Sequence, residues 1–335
     1  MSRAILVGDM SDETSIVLRE VELPPDRNPV LVYLAHFPSE NSRRAMTRAI
    51  AIVAQIISDG RAGFSHIAWW LLRVQHTAAV KAKLMELCQS RGTANLALCA
   101  LRGVLRECAD LELMSYENSA KAIKKLVTIK GEDILSGRPL TQEEIAKLYE
   151  VCGEDSSLLG MRNAALFSIF EAGGLRRFEV AGLNIENYRP GYGLLVRKAK
   201  GRNQREVPLA ARARKMVEAW LAASKEAGME PDRPLLCAVT GKKVRPRRLS
   251  KDYVAVILAG LRDRAGLDHF SPHDLRRTYT TDLFDTGSDL FTVQDLLGHK
   301  CSDTTRRYDR RGDKAKIEAV ERRDRIHGAR FGKKE

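Results

Sequence analysis

The chain has 335 residues, enough for two domains of ordinary size, and at 44% hydrophobic and 6% aromatic it can bury real cores, which excludes a disordered tract. Its formal net charge of +13 favours a polyanionic partner through steering and counterion release. The six cysteines lack C-x-x-C pairs and histidines at zinc spacing, so neither a disulfide framework nor a structural metal is expected. No apolar run approaches membrane-spanning length, and Asp9, Asp12 and Glu13 stand where a signal peptide needs an apolar core, so a cytoplasmic protein is expected.

Residues 1–29 read as an extension of unknown role, with short strand-like runs at Ala4–Val7 and Ile16–Leu18 and a linker from Pro24 to Pro29. Residues 30–130 read as a helical domain. Ser39 is placed to cap a helix through Arg43, Met46, Ile50, Val53 and Ile57, and Gly60 closes it. Helical patterns follow at Ile67–Leu72, Ala79–Leu87, Leu96–Leu105 and Ala120–Val127, and Cys88, Cys99 and Cys108 are expected as buried core thiols. Arg43, Arg44, Arg48, Lys121, Lys124 and Lys125 lie on the polar faces. Most such charges only solvate a helix, but here they outnumber the acids, which favours contact with phosphates. Residues 131–139, with Gly131, Gly137 and Pro139, form a linker ending at Thr141-Gln142-Glu143-Glu144, a capping box that opens a second domain over 140–335.

Within that domain, helices are expected at Thr141–Cys152, Leu158–Glu171, Arg212–Ala227, Leu249–Ala265, His273–Thr286 and Leu290–Leu297. Leu194–Val196 and Arg205–Leu209 form a hairpin with Gly201–Gln204 as its turn. A short helix is built on Ser302–Thr305, and a charged helix over about 313–326 carries Ile317, Val320 and Ile326 on one side.

Five constellations carry chemistry. Gly173-Gly174-Leu175-Arg176 places an arginine at a helix start with Glu179 three residues on, a pairing that a plain surface arginine would also show. Val196–Pro208 sets Lys200 at a strand turn, with Lys198 as its close competitor for the role of proton donor. His273-Asp274-Leu275-Arg276 follows Ser271-Pro272 at another helix start, where the histidine can equally be structural. Leu297-Gly298-His299 makes a turn, and Tyr308 lies nine residues beyond it. Phosphodiester transfer needs a nucleophile, cations on the non-bridging oxygens and an acid for the leaving alkoxide. Arg176 and Arg276 can supply planar forks to the phosphate, His273 and His299 can donate or shuttle protons, and Tyr308 can attack, with Tyr279 the next nucleophile candidate.

These motifs resemble those of the tyrosine recombinases, the phage-integrase family, in order and spacing from about Leu140 to Tyr308. The departures are Gly173 for a threonine, Ala199 for a glycine and Arg277 where a second histidine is common. The resemblance implies a mainly α fold with a small β-sheet, arranged as a two-domain DNA clamp: a helical, SAM-like core-binding domain and an α+β catalytic domain. It implies cleavage and rejoining of DNA through a 3′-phosphotyrosyl link to Tyr308 and a Holliday junction, without metal or ATP. Arg176, Arg276 and His299 would stabilise the transition state, His273 would move a proton, Lys200 would protonate the leaving oxygen, and Glu179 would support Arg176. Arg202, Arg205 and Arg277 complete the expected DNA contacts. The implied partners are double-stranded DNA with paired sites, a homotetramer on DNA that is monomeric or weakly oligomeric off it, and accessory proteins. The 313–326 helix would dock on a neighbouring protomer. The rival readings are a type IB topoisomerase and a non-catalytic DNA-binding protein on the same scaffold.

Overall fold

The computed structural model describes residues 21–131, 137–197, 204–230, 232–299, 301–306, 308–309 and 312–331. The fold is mainly helical with small antiparallel sheets, and the chain falls into two compact units that divide within residues 131–139.

The first unit contains α1 (Pro29–Ala35), α2 (Glu40–Ser58), α3 (Val74–Leu87), α4 (Arg91–Asp110) and α5 (Tyr116–Lys124). Asn28 caps α1 by accepting from the Val30 and Leu31 N–H groups at 3.1 and 3.3 Å, with Pro29 at the first turn, where its missing N–H costs nothing. Ser39 does precede α2, but its side chain makes no cap bond; α2 ends at Asp59 in the left-handed conformation. The apolar run at 67–72 is not an α-helix. Two 3-10 turns, Phe64–His66 and Trp69–Leu71, bury the Trp69 ring instead, and its indole N–H donates to the Phe64 carbonyl at 2.9 Å.

α4 is the axis of this unit. Ala97, Leu98, Leu101, Val104, Leu105 and Cys108 recur at helical spacing and are all essentially inaccessible. Cys108 is therefore the core thiol expected. Cys99 is exposed, because it follows Leu98 onto the outward face, and Cys88 is half-buried at the end of α3. Of the expected extension, residues 1–20 lie outside the described residues, while the Val21 N–H donates to the His66 carbonyl at 2.9 Å.

The second unit opens with α6 (Gln142–Glu154), whose Thr141–Glu144 capping box forms as expected: Glu144 N–H to Thr141 Oγ1 at 3.3 Å and Thr141 N–H to Glu144 Oε2 at 2.9 Å. α7 (Leu158–Gly173) is buried on nearly every side, so it has no polar stripe. It packs against α9 (Ala211–Glu226) and α11 (Pro272–Asp285), and α8 (Arg177–Gly182) follows it directly in the chain. The expected hairpin is β2 (Gly193–Arg197) against β3 (Gln204–Pro208), in register Leu194↔Val207 and Arg197↔Gln204, with the two-residue β1 (Tyr188–Arg189) on the other edge of β2.

A second hairpin, β4 (Cys237–Thr240) with β5 (Lys243–Arg248), was not expected. Its second strand reads Lys-Val-Arg-Pro-Arg-Arg and is almost wholly exposed, so no apolar alternation marks it. α10 (Lys251–Arg264), α12 (Leu290–Leu297), α13 (Ser302–Arg306) and α14 (Asp313–Phe331) complete the unit. A small separate cluster of Phe284, Val293 and Leu297 receives Tyr279 and Tyr308, and so seats the tyrosine segment on α11 and α12.

One glycine in α4 tests how tightly the first unit packs. A Cβ on Gly103 would stand 2.1 Å from the Tyr33 ring. Gly103→Ala gains about 1 kcal/mol of helix propensity, but the displaced ring costs about 1–3 kcal/mol of overpacking. Net destabilisation is expected in urea unfolding of this unit; a stabilised variant would show that the ring moves aside freely.

Candidate active site

Two glycine turns build the site. α7 ends at Gly174, in the left-handed conformation at φ 56°, and α12 ends at Gly298, at φ 62°. Such turns stop a helix and leave its last carbonyls needing donors, at the negative end of the helix dipole. Gly174 has a second reason to lack a side chain: a Cβ would meet the Tyr279 ring at 2.3 Å.

Guanidinium groups satisfy these carbonyls. Arg276, on α11 and 2% exposed, donates Nη1–H to the Gly174 carbonyl at 2.5 Å and Nη2–H to the Leu297 carbonyl at 2.8 Å. Arg205, on β3, donates Nε–H to the Leu296 carbonyl at 2.9 Å. Arg176 caps α8 and reaches the Leu297 carbonyl at 3.5 Å.

A single buried carboxylate ties two of the arginines together. Glu179 accepts from Arg205 Nη1 and Nη2, both at 2.9 Å, from Arg176 Nη1 at 3.2 Å and from the Arg176 backbone N–H at 2.8 Å. Burial opposes its charge, but the bonds from Arg205 and Arg176 prevail, and its pKa lies below the ordinary value. Two guanidiniums, those of Arg205 and Arg176, thus share one carboxylate, and Arg276 stands close enough to feel its charge. Burial, then the Arg176 charge, depresses the pKa of Arg276, although a guanidinium still stays charged.

Both histidines feel this charge. His299 presents Nε2 to Arg276 Nη2 at 2.8 Å and Nδ1 to Thr305 Oγ1 at 2.7 Å. Burial, together with Arg276, Arg176 and Arg205, pulls its pKa down to about 4, so it is neutral at pH 7. His273, at the first turn of α11, points Nε2 at the Tyr308 hydroxyl, 3.1 Å away. Its pKa is also lowered, by desolvation and then by Arg276 and Arg277, so a neutral Nε2 can accept the phenolic proton. The Tyr308 N–H is held by the Thr305 carbonyl at 3.0 Å.

Within one unit, Arg176 contacts Glu179, Arg276 contacts His299 and His273 contacts Tyr308; the Leu297 carbonyl joins the first two pairs and Thr305 joins His299 to Tyr308. Lys200 and its competitor Lys198 lie outside the described residues, as does Arg202, although β2 and β3 pair up to Arg197↔Gln204 on either side of their loop.

Two expected DNA contacts turn inward. Arg205 has a side chain only 9% exposed, because its fork matches the Glu179 carboxylate, and Arg277 is buried beside Asp274 with a 3.7 Å ion pair. Arg43, Arg44, Arg48, Lys121, Lys124 and Lys125 are exposed in the first unit, with Arg44 on Glu40 and Lys121 on Glu117, each at 2.6 Å. The residues not foreseen are Arg205 as the Glu179 clamp and Thr305 as the His299 partner. Position alone hinted at them: one ends the basic hairpin motif and the other lies between His299 and Tyr308.

The phage integrase family model matches residues 138–314, more than half of the chain and all of this site. The chain belongs to the phage integrase family. It is a tyrosine recombinase, an enzyme of site-specific DNA strand exchange. Among curated relatives it is similar to the tyrosine recombinase XerC of Azotobacter vinelandii, 32% identical over 219 residues that cover 65% of this chain and 69% of that one. It is also similar to the XerC of Rhodospirillum centenum, 36% identical over 174 residues, 51% of this chain and 49% of the relative, so some relatives are matched over only about half their length. Its fold is similar to a lambda integrase dimer bound to a COC′ core site, with TM-score 0.61, 18% identity and coverage of 86% and 77% of the two chains. It is likewise similar to the XerH site-specific recombinase bound to difH substrate in a pre-cleavage complex, with TM-score 0.57, 21% identity and coverage of 88% and 84%. At these identities the likeness to the solved structures is one of fold.

The neutral histidine has a measurable consequence. Unfolded, His299 titrates near the ordinary 6.5; folded, at about 4. Between those values the unfolded chain binds the extra proton, so stability falls as the pH drops from 6.5 towards 4, and His273 acts in the same direction. Denaturant titrations across that window are expected to show the loss, and His299→Gln to flatten it. An equally steep loss in the variant would mean that His299 is not held neutral by the fold.

Proposed function

We propose that the recombinase transfers a DNA strand to its own Tyr308, using the arginine cluster as the seat of the scissile phosphate. The observation that carries this reading is the charge of the site: three neighbouring guanidiniums with one carboxylate that binds two of them, next to a tyrosine whose hydroxyl meets a neutral histidine. Such a site carries an excess of positive charge, and a phosphodiester anion offsets it with oxygens that arginine forks match.

In this mechanism the Tyr308 oxygen attacks phosphorus as its proton passes to His273 Nε2. Arg176, Arg276 and His299 bind the non-bridging oxygens, and the P–O5′ bond breaks as Lys200 protonates the leaving oxygen. The product is a 3′-phosphotyrosyl link and a free 5′-hydroxyl. A 5′-hydroxyl from a partner duplex reverses the step, so the bond energy is kept in the covalent link. Tyr308 sits within hydrogen-bond reach of the histidine of its own chain, which favours attack in cis.

Assembly follows from the tail. Ile317 and Val320 on α14 are 58% and 66% exposed, an apolar side not covered by its own unit. In this reading α14 docks on a neighbouring protomer, and four protomers on paired sites pass through a Holliday junction. The exposed basic residues of the first unit hold DNA phosphates. No described helix is long and apolar enough to cross a membrane; the reaction belongs where DNA is, in the cytoplasm, and suits a mobile element as well as a chromosome.

Trapping with denaturant on nicked duplexes drawn from DNA flanking the gene tests this reading. The wild-type chain is expected to form a covalent adduct, Tyr308→Phe to bind DNA and form none, and Arg276→Ala to form it roughly 10²-fold more slowly or worse. An adduct persisting in Tyr308→Phe would move the nucleophile elsewhere. Relaxation of supercoiled DNA without paired sites would favour the topoisomerase alternative.

A further inference from the structure

Thr305 has no part in the chemistry proposed above, yet it touches both ends of it. Its side chain is fully buried, with Oγ1 2.7 Å from His299 Nδ1, and its carbonyl accepts the Tyr308 N–H at 3.0 Å. The other ring nitrogen of His299 faces Arg276 Nη2 at 2.8 Å. A guanidinium nitrogen can only donate, so Nε2 must accept. A neutral imidazole carries one ring hydrogen, which therefore sits on Nδ1 and is donated to the Thr305 hydroxyl oxygen.

We propose that Thr305 is a positioning residue: its hydroxyl fixes the tautomer and aim of His299, and its backbone couples that aim to the seat of Tyr308. The proposal deepens the strand-transfer reading, because it concerns how His299 comes to face the phosphate. With Nδ1–H tied to Thr305, Nε2 is always the nitrogen turned towards the arginine cluster. When a phosphodiester anion enters, its charge favours uptake of a solvent proton at Nε2, which then donates to a phosphate oxygen. The bond from Nδ1–H to Thr305 is unchanged. Displacing the segment that carries Tyr308 would also remove the partner of His299, so the nucleophile and this phosphate donor are assembled together.

A purely structural threonine would fill the same space without setting a tautomer. Imidazole nitrogen-15 spectra of the full chain separate the two roles, with the His299 signal identified by its loss in His299→Gln. At pH 7 the wild type is expected to show a protonated Nδ1 and a bare Nε2. Thr305→Val keeps the shape but cannot accept, and Thr305→Ala removes the hydroxyl without crowding. Both are expected to shift the signal towards the Nε2–H or an averaged pattern, while Thr305→Ser restores the wild-type one. An unchanged His273 signal certifies that the site is folded. In folded protein, a wild-type tautomer in Thr305→Ala, or its loss in Thr305→Ser, would overturn the proposal. Adduct formation in Thr305→Ala is expected to fall about tenfold or more, the scale on which an orienting partner of a histidine acts, with DNA affinity nearly unchanged; an undiminished rate would overturn the coupling to catalysis. The tautomer is read without DNA, so its failure is distinct from any failure of the strand-transfer reading.

Discussion

Three neighbouring guanidiniums, two held by one carboxylate and the third by backbone carbonyls, are the constraint around which the second unit is organised. Bringing Arg176, Arg205 and Arg276 together costs desolvation and mutual repulsion. The protein offsets that cost with Glu179 and with the carbonyls of residues 174, 296 and 297 at the ends of two helices. These neutral dipoles hold the arginines without cancelling their charge. A second carboxylate would have made a more comfortable cluster and a poorer phosphate site. Burial and the same positive field explain the neutral histidines, since a proton on His299 or His273 is poorly solvated and adds to the repulsion.

The backbone is shaped for this purpose. Gly174 and Gly298 end their helices in the left-handed conformation, and each turn brings carbonyls within reach of an arginine from a different element. Tyr279 packs where a Gly174 side chain would be, so a substitution there is both strained and blocked. The glycines of the two sequence motifs thus serve the arginines by setting backbone direction.

Much of this was legible in the sequence because the functional groups sit at helix starts and stops, where local rules are strong. The Thr141 capping box, the glycine before Leu175-Arg176 and the Leu-Gly-His turn each marked an element boundary correctly. What was not legible depends on side-chain direction in three dimensions. Arg205 and Arg277 read as basic residues of DNA-facing motifs, yet their partners Glu179 and Asp274 draw them inward. The distance in sequence from Arg205 to Glu179 gives no periodicity to detect. β5 escaped notice for a different reason: a two-stranded hairpin with exposed arginines and a proline buries too little to leave an apolar pattern. Thr305 was visible only as one of two adjacent threonines, and its bond to His299 required the turn to be folded.

The central claim is that the cluster keeps an excess of positive charge that an oxyanion offsets. The titration of His299, followed by imidazole nitrogen-15 shifts in the DNA-free protein, reports on that excess directly. In chloride its pKa should lie near 4. Replacing chloride with sulfate at the same ionic strength should raise it, because a bound oxyanion offsets the guanidinium charge that, with burial, keeps the ring neutral. Identical titrations in the two salts would contradict the account, for they would mean that the arginines are already balanced and that no phosphate is awaited there.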